Sequence, residues 1–231
     1  MVAPGGETFD TELDAQVENI FGLFLTGHVV LDTMVPLYFE LHGIADKFRG
    51  IFKDRSHLPG AVYRELDGIT RARGSARTLL QLPRWFRIHE ISDDAMAERV
   101  LDRQRRWRGK AEVENDPLPD RGEAECLEIC LDLGYPLLSH DHHAISDGAR
   151  DDIAVGTTID VLAIMVVRGM FRADQAWMIY TRFISARLYP VRDYPDSAMG
   201  EARFKDLVAR CQARQRGSAA ATSPTSPPAT S

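Results

Sequence analysis

Two short apolar runs each lead into an aspartate, and this constrains the fold more than any other feature of the chain. His28-Val29-Val30-Leu31 runs into Asp32, and Pro136-Leu137-Leu138-Ser139-His140 runs into Asp141. A brief, nearly continuous apolar run reads as a strand buried on both faces, the mark of a parallel sheet. In open parallel sheets the ligand crevice lies beyond the carboxyl ends of the strands. Both aspartates therefore fall where such a fold places its chemistry.

The rest of the pattern alternates strand and helix. Leu13, Val17, Ile20, Phe21 and Phe24 recur at helical spacing and predict a short amphipathic helix before the strand over 28–32. Helices are expected over 33–41 and 44–52, then an extended piece at Ser56-His57-Leu58-Pro59 and a helix carrying Glu65. A basic helix with Arg71, Arg73 and Arg77 is expected over 69–82, ended by Pro83. Residues 85–91 alternate as a half-buried strand, Ser92 caps a helix over 93–107, and 109–120 reads as a loop. Glu123 opens a strong helix that Gly134 closes, ahead of a strand over 136–139 and a helix over 142–148. Ile153-Ala154-Val155-Gly156 is the last strand, and helices follow over 158–168, 173–188 and 198–214. The predicted fold class is α/β, a three-layer α/β/α domain with a central, mostly parallel sheet.

A chain of 231 residues, 44% hydrophobic, suits one domain with extensions. We expect a loose start over 1–10 within a partly helical N-terminal extension over 1–25. The main domain then spans 26–190, a helical C-terminal extension 191–216, and a disordered tail 217–231 of Ser, Ala, Thr and Pro beyond Gly217. The three cysteines have no metal-type spacing; Cys126 and Cys130, one helical turn apart, read as small core residues. The stripe Leu127, Cys130, Leu131 with Leu162, Ile164 and Met165 reads as core. Without a secretory start or an apolar run near the roughly 20 residues a bilayer requires, the expected location is cytoplasmic, with no membrane partner.

The net charge of -6 gives no general attraction for nucleic acid, so any such binding needs a local basic patch. The run from Arg103 to Lys110 is the densest. There Arg105 and Arg106 are candidates for an RNA backbone and Trp107 for stacking on a base. The same run also reads as a solvated helix end whose charges complement the helix dipole.

Four acids, Asp32, Glu65, Glu123 and Asp141, stand at strand or helix ends. Gathered together they would repel one another unless a cation joined them, and hard oxygen ligands suit Mg²⁺ or Mn²⁺. Such an ion activates water and clamps phosphoryl oxygens, so the predicted chemistry is phosphodiester hydrolysis. Any one of these acids alone reads equally as an exposed charge or a helix cap, Glu123 above all; together they read as a site. Asp32 and Asp141 are the expected direct ligands, with Glu65 and Glu123 acting through water. His140, His142 and His143 invite a zinc reading, but the strand before them favours a rim role, with His140 and His142 touching substrate.

At these residues the chain resembles the PIN domain, a small α/β nuclease fold. The resemblance rests on Leu31-Asp32-Thr33, Val62-Tyr63-Arg64-Glu65-Leu66, Gly122-Glu123-Ala124-Glu125, Ser139-His140-Asp141 and Gly156-Thr157, in the family's order. It implies a catalytic, metal-binding cluster of Asp32, Glu65, Glu123 and Asp141 around Mg²⁺ or Mn²⁺, with Thr33 and Ser139 orienting it by hydrogen bonds. It implies an endoribonuclease acting on single-stranded RNA, of the kind that includes the toxin ribonucleases of toxin–antitoxin pairs, and with it homodimers and an antitoxin protein as partners. The alternatives are a non-catalytic PIN-like module that binds RNA or protein, and a nuclease directed at DNA or at a particular structure.

Overall fold

The computed structural model describes residues 6–73, 85–108, 120–185 and 194–221. Five strands form one parallel sheet: β1 (Val29–Leu31), β2 (Ser56–Pro59), β3 (Arg87–His89), β4 (Leu137–Leu138) and β5 (Val155–Gly156). All five lie within or against the segments that read as strands in the sequence. Their spatial order is β3-β2-β1-β4-β5. Val30 lies level with His57 on one side and with Leu137 on the other, and Leu138 lies level with Gly156. The chain thus winds outward from β1 to β3, then crosses back to β4 and winds the other way. That reversal opens a crevice between the carboxyl ends of β1 and β4.

Helices cover both faces. On one, α6 (Arg121–Leu133) packs on β1, β2 and β4, flanked by α4 (Gly60–Arg73), α5 (Asp94–Arg108) and α7 (His142–Arg150). On the other, α8 (Thr158–Val167) is buried at every position, as a helix that is apolar all round must be. Helices α3 (Ala45–Phe52), α9 (Ala173–Ser185) and α10 (Ala198–Ala221) pack on α8. Helix α2 (Met34–Leu41) follows β1 directly. The strands are buried except at the two edges, where β3 and Val155 of β5 are partly exposed.

Several expectations are corrected. Helix α1 (Gly6–Asn19) starts inside the stretch expected to be loose and runs on through a π-helical turn at Ile20–Phe24. It pairs with α10, and Asp14 accepts from Arg210 at 2.7 Å while Glu18 pairs with Arg214. The two extensions therefore form one layer against α8. Helix α10 continues through Ala221, past the expected start of the tail, because alanine is the strongest helix former. The two helices expected around residue 69 are one, α4, as far as Arg73. Arg77, Pro83, the loop over 109–119 and the tail beyond Ala221 lie outside the described residues. Gly134 does close α6, in the left-handed region at φ 66°. Leu131 leaves the core stripe: it lies on the outer side of α6 and is 47% exposed. Cys126 and Cys130 are buried free thiols.

Candidate functional site

Asp32 is the first residue past β1, and its own N–H still donates to Leu138 O at 3.0 Å, so the ladder with β4 holds it in register. Its side chain is 1% exposed. One oxygen accepts from Thr33 N at 2.5 Å and the other from Ser139 Oγ at 2.9 Å. Ser139 Oγ also accepts the Asp141 N–H at 2.9 Å. One buried hydroxyl thus ties together the aspartates that follow β1 and β4. Asp141 caps α7, its Oδ1 accepting from Ala144 N at 2.9 Å.

Glu65 reaches the same crevice from α4. Its Oε2 accepts from Thr33 Oγ1 at 2.5 Å, so Thr33 holds Glu65 while Ser139 holds Asp32 and Asp141. Glu65 also lies against the first turn of α6, where a Cβ built on Gly122 would meet its Oε1 at 3.1 Å. Glycine at 122 lets the two helices approach, and the next residue is Glu123. Helix α4 is itself fixed by a residue that the sequence did not mark. Glu125 is 1% exposed, and its Oε2 accepts from Ala61 N at 2.9 Å, satisfying a free donor at the start of α4.

Burial raises the Asp32 carboxyl from 3.8 to about 7, with Asp141 and Glu65 pushing it further up against the hydrogen bonds from Ser139 and Thr33. Burial raises Glu123 from 4.5 to about 8, and the charges of Asp32, Asp141 and Glu65 act in the same direction. Asp32 and Glu123 thus each feel burial first and the neighbouring carboxylates second. Tyr38 on α2 belongs to the same environment: burial, then the charge of Asp32, raises its hydroxyl. Its apolar helical spacing in the sequence concealed that position.

Among the described residues, no three His, Cys, Asp or Glu side chains are placed to close round one cation. The donor set is nonetheless oxygen only, and the neighbours that shift Asp32 and Glu123 upward are other carboxylates. Mg²⁺ keeps several waters and takes one or two carboxylates directly. Asp32 and Glu123, whose ionisation is suppressed by burial and by neighbouring carboxylates, are of the ligand type such a hydrated ion takes.

The other predicted residues fall differently. His140 Nε2 accepts from Thr158 N at 3.3 Å and lies 2.8 Å from Thr158 Oγ1. Burial lowers its pKa to about 4, so the ring is neutral. It joins β4 to α8 and offers no positive charge to a substrate. His142 is exposed on the first turn of α7 and meets only the edge of His143. Arg105 pairs with Glu98 at 3.0 Å and Asp102 at 2.9 Å. Arg106 lies 3.9 Å from Asp147. Trp107 stacks on His143 and donates to Asp147 at 3.0 Å. Arg103, within the same run, is buried among Glu128, Asp147 and Asp151. The described part of the basic run is thus largely neutralised by the protein's own acids, because α5 packs against α6 and α7. Asp160, an acid near the late Gly-Thr, forms a capping box with Thr157 at the start of α8.

Comparison with models of known protein families finds no match, and comparison with curated proteins finds no relative.

Proposed function

We propose that this chain is a Mg²⁺- or Mn²⁺-dependent endonuclease that hydrolyses phosphodiester bonds of single-stranded RNA. One observation supports the reading: where the winding of the sheet reverses, Ser139 hydrogen-bonds both the Asp32 carboxylate and the Asp141 backbone, and Thr33 beside them hydrogen-bonds Glu65, which lies against Gly122 next to Glu123. Asp32 and Asp141 would hold the ion, and Glu65 and Glu123 would face its waters. A bound ion lowers the pKa of a water and offsets charge on the phosphoryl oxygens. The residues of the chain do the rest. Ser139 orients the Asp32 carboxylate and holds the Asp141 backbone, Ala144 N orients the Asp141 carboxylate, Thr33 fixes Glu65, and Glu65 and Glu123 would supply carboxylates to orient a water and accept its proton. Cytoplasmic location, a homodimer and the toxin role with an antitoxin partner are narrower parts of the same proposal. Co-purification with a small DNA-binding protein would support the last.

Asp32→Asn and Asp141→Asn each abolish Mn²⁺-dependent cleavage of single-stranded RNA without lowering the melting temperature if this reading is right. Matched RNA and DNA oligonucleotides separate a ribonuclease from a DNA-directed enzyme. A second reading draws on the lack of three acids closing round one cation among the described residues: a PIN-like module that binds RNA or protein without cleaving. Wild type that cuts no RNA or DNA with either metal, yet retains RNA in a binding assay, would favour it.

A further inference from the structure

Beside the layer formed by α1 and α10 lies a partly open cavity of about 340 Å³ at the carboxyl end of β5, lined by Gln16, Phe24, Ile145, Asp160, Tyr194 and Arg203 among others. It lies at the same end of the sheet as the acids. Ile145 in its wall donates its N–H to Asp141 O at 3.0 Å, so the cavity begins one helical turn, about 5.4 Å, from a predicted metal ligand. The residue just past β5, Thr157, lines it too, and Gly156 before it accepts from Ser139 N at 3.0 Å. The volume is at the small end of ligand pockets, about 300–1,000 Å³, a size for one base rather than several.

The polar floor is ordered. The Tyr194 hydroxyl donates to Gln16 Oε1 at 2.6 Å, and Gln16 Nε2 donates to Asp160 Oδ1 at 2.6 Å. Asp160 is held in turn by Thr157 N at 2.7 Å. These partners decide which end of the Gln16 amide is oxygen and which is nitrogen. A primary amide has two N–H donors and two lone pairs, and the partners named among the described residues take one of each. Adenine presents an amino donor and a ring-nitrogen acceptor that a glutamine amide meets with two hydrogen bonds. Phe24 and Tyr194 pack into the wall at 1% and 2% exposure, and bases of single-stranded RNA are free to leave the stack and enter such a pocket.

We infer that this cavity is a base-reading subsite that takes an adenine adjoining the scissile phosphate, an inference that rests on the ribonuclease reading. It assigns Gln16 as the specificity-determining residue, positioned by Tyr194 and Asp160. The test uses the full chain and RNA oligonucleotides that differ only in the bases flanking the cleaved bond. Wild type should favour adenine over uracil in kcat/KM by roughly tenfold or more, as a two-bond base contact provides. In Gln16→Leu that ratio should fall toward one. No preference in wild type, or a preference kept in Gln16→Leu, overturns the subsite. Because Gln16→Leu can disturb the α1–α10 layer, metal-free wild type is also titrated with adenosine and uridine monophosphates by calorimetry. Tighter binding of the adenosine nucleotide supports the subsite, and equal binding overturns it. Preferential adenosine binding with no RNA cleavage keeps the subsite and sinks the nuclease. Cleavage indifferent to the flanking base does the reverse.

Discussion

Asp32→Asn should stabilise the metal-free protein, and by an amount that grows with pH. Asparagine copies the protonated form of the side chain and cannot ionise. The Asp32 carboxyl titrates near 7 in the fold against 3.8 for an ordinary aspartate. Below 3.8 both folded and unfolded chains carry the proton, so stability is unaffected. Between 3.8 and 7 the folded chain keeps a proton that the unfolded chain has lost, so wild-type stability falls as pH rises. Each unit corresponds to about 1.4 kcal/mol. From pH 5 to pH 7 the wild type should therefore lose roughly 2 kcal/mol that Asp32→Asn keeps. Glu123 repels Asp32 and titrates just above it, so some of the loss continues toward pH 8. Against this gain, asparagine can satisfy only one of the hydrogen bonds from Thr33 N and Ser139 Oγ as the carboxylate does, at a cost of about 1 kcal/mol at every pH. The variant should thus be close to wild type at pH 5 and more stable at pH 7 and above. Urea denaturation in EDTA at pH 5, 6, 7 and 8 measures this, and repeating it with excess Mn²⁺ should reverse the order by stabilising only wild type. A stability difference that stays flat from pH 5 to 8 would refute the claim that these acids share a buried, uncompensated site.

Three further perturbations test other parts of the structure. His57 bridges His89 at 2.6 Å and His28 at 3.0 Å across β2, β3 and the start of β1. Burial and its neighbouring histidines lower His57 to about 4, so its contribution is complete above pH 6.5 and is lost as pH falls toward 4. Urea midpoints in an Asp32→Asn background should show a loss of about 2 kcal/mol between pH 6.5 and 5, reduced in His57→Gln. Arg103→Met leaves Glu128, Asp147 and Asp151 without their buried partner and should cost about 3–5 kcal/mol, read from denaturation at pH 7. Gly122→Ala puts a methyl 3.1 Å from Glu65 Oε1 and from Val62 Cγ2. It should cost about 1–3 kcal/mol and, by displacing Glu65, reduce Mn²⁺-dependent cleavage by roughly tenfold or more. Unchanged cleavage would remove Glu65 from the proposed chemistry.

Local chemistry made much of this fold legible in advance. Val29-Val30-Leu31 and Leu137-Leu138 read as buried strands because an apolar run with no polar face has nowhere to go but between two helical layers. Glycine at 134 reads as a helix end because its backbone tolerates the left-handed conformation found there. Asp32 and Asp141 read as site acids because they follow strands. Less was legible wherever a residue's role depends on a partner far along the chain. Glu125 looked like one acid among several, and only the approach of α4 to α6 makes it a cap for Ala61. The arginines after residue 102 read equally as an RNA surface and as a solvated helix end, and only the packing of α5 on α6 and α7 brings Glu128, Asp147 and Asp151 to neutralise Arg103.

The sequence by itself determined the alternation of strand and helix and the positions of the acids along it, since periodicity, capping and turn preference act over a few residues. The tertiary structure alone decided the strand order that sets β1 beside β4, the bridging of Asp32 and Asp141 by Ser139, the neutral state of His140, and the closing of α1 onto α10 around Gln16. These rest on burial and on contacts between segments tens to nearly two hundred residues apart, and no local pattern encodes which segments will meet.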